Sequence, residues 1–418
     1  MTNTFFIVIL AAVILDFALD LVANILNLKA LKLEPPPPLA GVYKPEEYRR
    51  SQEYTRVATR FDFISSSFNL VILLSFWFTG GFNYLDQVVR GWGFIPLVNG
   101  LLYIAILSAA YGLMSLPFNI YATFVIEARF GFNRTTPRTF ILDLIKSTAL
   151  GILLGAPLLA GVLLLFQYAG GYAWLYVWAV VTLFSLVVSY VAPTWIMPLF
   201  NKFTPMPPGE LRDAILDYAR SVNFSLKNVF VMDGSKRSSR GNAFFTGFGR
   251  NKRIALFDTL IAQHTVGEMV AVLAHEIGHH KKKHILQDMI IGIMHSGFVL
   301  FLLSFFINSQ GLYQAFSMEQ SSIYAGLLFF GLLYTPLEMV LSIAMQLFSR
   351  KNEREADRFA AHTTGKPQNM VDALKKLSAN NLSNLSPHPF FVFLHYSHPP
   401  LLERVRNIQQ YSTPQHLP

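Results

Sequence analysis

The chain has no cysteine and little charge: 14 % of its 418 residues are Asp, Glu, Lys or Arg, against 52 % hydrophobic. Without thiols there is no disulfide and no thiolate metal site, so any metal must be held by histidine and carboxylate. The same absence fits any redox compartment. No internal repeat is found, and Pro35 to Pro38 forms a short extended spacer. The scarcity of charge, 37 phenylalanines and a positive mean hydropathy exclude ordinary soluble globular usage and point to a polytopic membrane protein.

Seven apolar runs, at 4–27, 61–85, 98–126, 143–168, 172–199, 286–308 and 321–348, each reach the roughly 20 residues that cross a hydrocarbon core. The first is too long for a cleaved signal peptide, and Asp16 and Asp20 stand where an apolar stretch should be. Lysine and arginine set the orientation. Lys29, Lys32, Lys44, Arg49, Arg50, Arg56 and Arg60 fall before the second run, Arg129, Arg134 and Arg138 after the third, and 200–285 is also basic. On the other side Arg90 stands alone, and 169–171 and 309–320 carry neither residue. The positive-inside rule therefore puts the amino terminus outside and 200–285 in the cytoplasm. The net charge of +9 reads as topology and not as nucleic-acid binding.

The runs are not uniformly apolar. Asp16, Asp20, Asn24 and Asn27 form one stripe of a helix, and Asn69, Asn119, His295 and Glu338 add polar groups at depth. Such groups are expensive in hydrocarbon unless they meet a partner or water. Satisfied contacts between helices would account for them; a hydrated interior is the sharper expectation.

His275-Glu276-Ile277-Gly278-His279 is an HExxH pattern inside a proline-free run from Val266 to His284. On a helix the two histidines share a face, one turn apart, so both can reach a single zinc at about 2.0 to 2.1 Å, with Glu276 beside the water it would deprotonate. Met269, Val270, Val272 and Leu273 give that helix an apolar face, and Gly278 leaves room for a metal or another backbone. Two histidines leave a ligand missing. Glu353 follows the seventh run; two spans separate it from His279, so it returns to the same side of the membrane. Asp357, one turn later, can accept the remaining imidazole N–H of a ligand. Glu355 points elsewhere, and His280 and His284, among lysines 281 to 283, read as a solvated basic surface.

The set HEIGH, SRKNEREAD, Gly241 to Phe248, Lys252 to Leu260 and Tyr396-Ser397-His398-Pro399-Pro400 resembles the type I CAAX prenyl protease family, with further matches at Phe130 to Asn133 and Pro198 to Pro205. The resemblance implies one zinc per chain on His275, His279 and Glu353, and Glu276 as general base and acid. It also implies that Asn242 and Ala243 lie on a strand edge that pairs with substrate backbone, and that His398 and Arg404 contact the substrate or the oxyanion. The implied fold is mainly α: seven transmembrane helices around a hydrated chamber, plus a cytoplasmic zinc-peptidase part with a small β-element. From the residues alone, 228–257 holds two apolar runs that suit such an element, while Asn242 and His398 read first as a turn residue and a loop histidine.

The organisation expected is membrane helices one to five with their loops in 1–199, the metalloprotease segment in 200–285, helices six and seven in 286–348, and a cytoplasmic segment with the third ligand in 349–418. The function expected is an endopeptidase acting on membrane-associated proteins or peptides, prenylated carboxyl termini included. The alternatives are a quality-control protease for membrane proteins and a transporter or receptor with structural zinc. A bacterial cytoplasmic membrane is the expected location, with the endoplasmic reticulum as the alternative.

Overall fold

The computed structural model describes residues 3–32, 34–226, 229–246 and 253–410. Among them seven helices are long and apolar enough to cross a membrane: Thr4–Lys29, Pro45–Phe78, Pro96–Glu127, Pro137–Tyr168, Gly170–Leu199, His284–Phe306 and Ile323–Thr364, here spans one to seven. Spans two, three and four open on proline. The missing N–H costs nothing at a first helical position, and φ is already helical.

Two of the expected spans change their bounds. Span two starts well before residue 61 and ends at Phe78, because Gly80 takes a φ of 76°, a left-handed conformation that glycine adopts without strain. The following residues form a separate amphipathic helix, Gly81–Gly91, which buries Phe82, Asp86 and Val89. Span seven does not stop at 348. It runs as one helix to Thr364, so the 348/349 boundary falls inside a continuous hydrogen-bonded rod and the charged run from Arg350 to Asp357 is its extension. The change in polarity marks where the helix leaves hydrocarbon, and α-helical bonding is indifferent to that transition.

Four strands make one sheet in the order β1-β2-β4-β3: β1 (Phe203–Pro205), β2 (Val229–Met232), β3 (Ala243–Thr246) and β4 (Arg253–Phe257). β2 and β4 are parallel, while β1 and β3 flank them antiparallel. The small β-element expected in 228–257 is thus a strand pair extended by two neighbours, with β3 at an edge.

Buried apolar side chains gather into two cores. One joins the loops between spans (Leu39, Phe130) and the start of span two (Tyr48) to the sheet (Ile254, Leu256) and to the helix Val266–Lys281 (Met269, Leu273, Ile277). The basic segments 28–60, 129–138 and 200–285 therefore meet at one end, as the charge pattern requires. The other core closes the opposite end, where Phe316 stacks on Phe329 at 3.8 Å and the Trp77 Nε1–H donates to the Ala315 carbonyl at 2.8 Å. Between them the spans bury little: 6 % of the most apolar window in each of spans two to six. Polar groups stand there, including His295, whose Nε2 lies 3.2 Å from Glu338 of span seven.

The polar stripe of span one has a plainer explanation than a wet interior for most of its length. Asn27 Oδ1 accepts from the His388 backbone N–H at 3.1 Å, Asn24 donates to Asp20, and Asp20 lies 3.4 Å from His395. The stripe is largely a seam between span one and the segment around residues 384–395.

Candidate metal centre

The helix Val266–Lys281, called the motif helix below, begins with a capping box: Glu268 N–H donates to Thr265 Oγ1 and Thr265 N–H donates to the Glu268 carboxylate. The reciprocal pair satisfies N–H groups that a helix start leaves open. Glu268 is 5 % exposed and receives Lys376 at 2.7 Å. Burial opposes its charge, yet hydrogen bonds from Lys376 and from Thr265 N–H hold its carboxyl below the ordinary value. The helix is thus pinned at its start, two turns before the histidines.

The histidines face span seven at close range because of Gly278. A Cβ there would stand 3.2 Å from Ala356 Cα, so glycine serves backbone approach, one of the two uses expected of it. Across that contact His275 Nε2 lies 3.5 Å from one Glu353 oxygen, His279 Nε2 lies 3.3 Å from the other, and the two Nε2 atoms are 3.1 Å apart. His275, His279 and Glu353 are the group among the described residues whose donor atoms can hold one metal ion, all within 4.8 Å of one another. Ligands about 2.1 Å from a tetrahedral ion stand roughly 3.4 Å apart, which is the spacing found. Glu353 Oε2 is buried without a hydrogen-bond partner. Its nearest polar neighbours are His275 Nε2 at 3.5 Å and the Arg404 guanidinium at 3.6 Å; two imidazole nitrogens and a carboxylate at ligand spacing are donor types that zinc takes, so the donor set fits a divalent metal.

Asp357 is where its spacing places it, Oδ1 at 2.9 Å from His275 Nδ1. It also takes Arg404 in a two-pronged pair, Nε at 2.8 Å and Nη2 at 2.6 Å. Burial works against the charge on Arg404, but Asp357 and Glu353 raise its basicity further. Burial likewise disfavours a charged His275, and Asp357 and Glu353 outweigh it, pushing the imidazole up to about 10 in the metal-free protein. His398 differs, being more open: burial pushes it down, and Arg404 and the neighbouring histidines add to this against Glu353. Its Nε2 is 3.3 Å from Glu353 and its Nδ1 is 2.9 Å from Ser397 Oγ.

One cavity of about 340 Å³ is lined by Asn242, Ala243, His275, Glu276, His279, Glu353, His398 and Arg404. Eight of the nine residues singled out from the sequence thus share a wall, and the ninth, Asp357, stands behind His275. At the edge strand the detail differs from a bare pairing surface. The Asn242 carbonyl accepts from Phe257 N–H of β4 at 3.0 Å, and its carboxamide oxygen accepts from Ala243 N–H at 2.8 Å. The carboxamide therefore occupies the N–H that an added strand would use first.

One of the two histidines beside the motif departs from the solvated basic surface expected of them. His280 packs edge-on against Phe224 at 5.3 Å between ring centres. His284 is 1 % exposed, not a solvated surface: its Nδ1 is 3.1 Å from His279 Nδ1 and its Nε2 is 3.2 Å from Glu355. The lysines around it gave no sign of this, because Lys283 at φ 62° turns the chain back over the motif helix.

Residues 24–202 match the family model "CAAX prenyl protease N-terminal, five membrane helices", and residues 205–412 match that of peptidase family M48. The chain belongs to peptidase family M48. Curated CAAX prenyl protease 1 homologs of Oryza sativa subsp. japonica and Arabidopsis thaliana are 36 % and 38 % identical, covering 96 % of both chains and 91 % and 92 % of the two chains respectively. The crystal structure of S. mikatae Ste24p superposes with a TM-score of 0.92 at 32 % identity, over 98 % of this chain and all of that one. This M48 member is a multi-pass membrane metalloprotease of the CAAX prenyl protease 1 type. Its relatives named here are eukaryotic and give the expected bacterial membrane no support.

Proposed function

We propose that the chain is a zinc endopeptidase that cleaves membrane-associated proteins or peptides, prenylated CAAX-type carboxyl termini among them, from the basic, cytoplasmic end of its bundle. The observation that carries this reading is the shared cavity: three metal donors, Glu276, a sheet edge and His398 face one space. His275, His279 and Glu353 hold one zinc, which when bound supplies Lewis acidity for the scissile carbonyl and for water. Glu276 takes the proton from the attacking water and returns it to the leaving nitrogen. The substrate lies extended beside β3, its main chain meeting Asn242 and Ala243.

Of the two candidates for the oxyanion, His398 is preferred. Arg404 spends Nε and Nη2 on Asp357, whereas His398 is the more open of the two and brings Nε2 to the cavity wall, 3.3 Å from Glu353. Arg404 and Asp357 then orient His275. The division into membrane helices in 1–199 and 286–348 and catalytic parts in 200–285 and 349–418 is retained as a functional one, with span seven crossing the last boundary unbroken. The kinship of the amino-terminal five helices with CAAX prenyl proteases favours this reading over general membrane quality control, and a closed structural zinc site would have no use for Glu276.

The test is metal content and hydrolysis of a quenched farnesylated peptide by the purified full chain. About one zinc per chain is expected, and Glu276→Gln should keep that zinc while turnover falls by roughly 10²- to 10⁴-fold. Normal turnover in that variant would overturn the assignment. Equal cleavage of an unprenylated membrane substrate would assign the broader, clearance role instead.

A further inference from the structure

Each metal-binding imidazole has an outward nitrogen to account for. His275 directs Nε2 into the donor cluster and Nδ1 to Asp357. His279 also directs Nε2 inward, 3.3 Å from Glu353 and 3.1 Å from His275 Nε2, which leaves Nδ1 on the far side of the ring. An imidazole that ligates through Nε2 is neutral and carries its proton on Nδ1. The neighbour of that N–H is His284 Nδ1 at 3.1 Å, with the ring planes at 76°.

The rest of the chain of bonds follows. If His279 Nδ1–H donates, His284 Nδ1 must be the acceptor, so His284 carries its own proton on Nε2. That nitrogen is 3.2 Å from Glu355 Oε2, a carboxylate that can only accept. Both nitrogens of a 1 % exposed imidazole are therefore used, in one tautomer, between the ligand and an acid. Three elements meet here: His279 on the motif helix, His284 as the first residue of span six and Glu355 on span seven. Lys283 supports the geometry from a left-handed conformation, φ 62°, that a non-glycine residue adopts only under strain.

We propose that His284, oriented by Glu355, is a positioning residue for His279: it fixes the tautomer and ring direction of the second histidine ligand, as Asp357 does for the first. The proposal rests on the reading of His279 as a zinc ligand. It ties zinc affinity to the ends of two membrane spans, because the acceptor for His279 comes from span six and its anchor from span seven. Glu355, which spacing ranked below Glu353 as a ligand, acts through His284 and not on the metal.

The test measures zinc affinity of the full chain in detergent by chelator competition, with the absorption spectrum of the cobalt-substituted protein as a second readout. His284→Leu should weaken zinc binding by roughly 10- to 100-fold and shift the cobalt bands. His284→Asn places an oxygen where Nδ1 was and should restore most of the affinity. Glu355→Leu should weaken binding less than His284→Leu, and the double variant should be no weaker than His284→Leu alone, since Glu355 has no other route to the metal. Equal losses in His284→Leu and His284→Asn, or additive losses in the double variant, would overturn the positioning role and leave the zinc reading standing. Wild-type protein that binds no zinc would remove both.

Discussion

Asp357 is the residue on which the site's electrostatics turn. It is 1 % exposed, touches His275 on one side and grips Arg404 on the other, while Arg404 Nη2 reaches within 3.6 Å of Glu353. A buried cation deprived of its partner is strongly unfavourable, typically by about 3 to 5 kcal/mol. Asp357→Asn keeps the shape and removes the charge. It should lower the melting temperature of the metal-free protein and weaken zinc binding together; a variant that melts as wild type would show that Arg404 finds its compensation elsewhere. At this scale much was readable in advance. His275, Glu276, His279, Glu353 and Asp357 announce themselves by spacing on two helices, since positions four apart share a face whatever packs around them. His284 did not, because its five-residue offset from His279 predicts a different face, and only the turn at Lys283 brings it back.

The motif helix illustrates what local sequence specifies within one element. Thr265 and Glu268 satisfy the capping-box pattern, and the structure forms both bonds. Lys376 adds a long-range partner that no local pattern contains. Because the folded state holds the Glu268 carboxyl below its ordinary value of 4.5, the unfolded chain binds the proton more readily. The stabilisation is therefore fully present above the ordinary carboxylate range and is lost as pH falls through the depressed folded value. Melting temperatures of wild type and Glu268→Gln, followed from pH 7 downward, should differ by a constant amount at first and converge in acid. A gap that widened in acid would contradict the sign. Span seven shows the opposite limit: the hydropathy drop at Ser349 suggests an end, whereas helix continuity carries Glu353 rigidly on the same rod as the membrane-embedded turns.

For the whole molecule, seven spans and the distribution of lysine and arginine place the amino terminus and the 309–320 connection on one side and the metal centre on the other. The natural absence of cysteine makes this directly measurable. Gln320→Cys and Lys366→Cys, both at exposed positions, introduce single thiols on opposite faces. In sealed vesicles of one orientation, a membrane-impermeant maleimide should label one and spare the other until detergent is added. Labelling of both would overturn the topology and, with it, the argument that Glu353 returns to the side of the histidines.

Sequence alone determined the solvent of the fold and the number of crossings, and put forward the sidedness and the metal donors. Each of these rests on composition, on a run of about twenty residues or on a helical repeat, all local properties. Tertiary structure decided which polar groups are partnered and which line the cavity. Asn27 of span one meets His388, Gly278 admits a second backbone, and His284 is buried between a ligand and Glu355. Burial and hydrogen-bond pairing are set by segments tens to hundreds of residues apart, and no local pattern encodes which of them will meet.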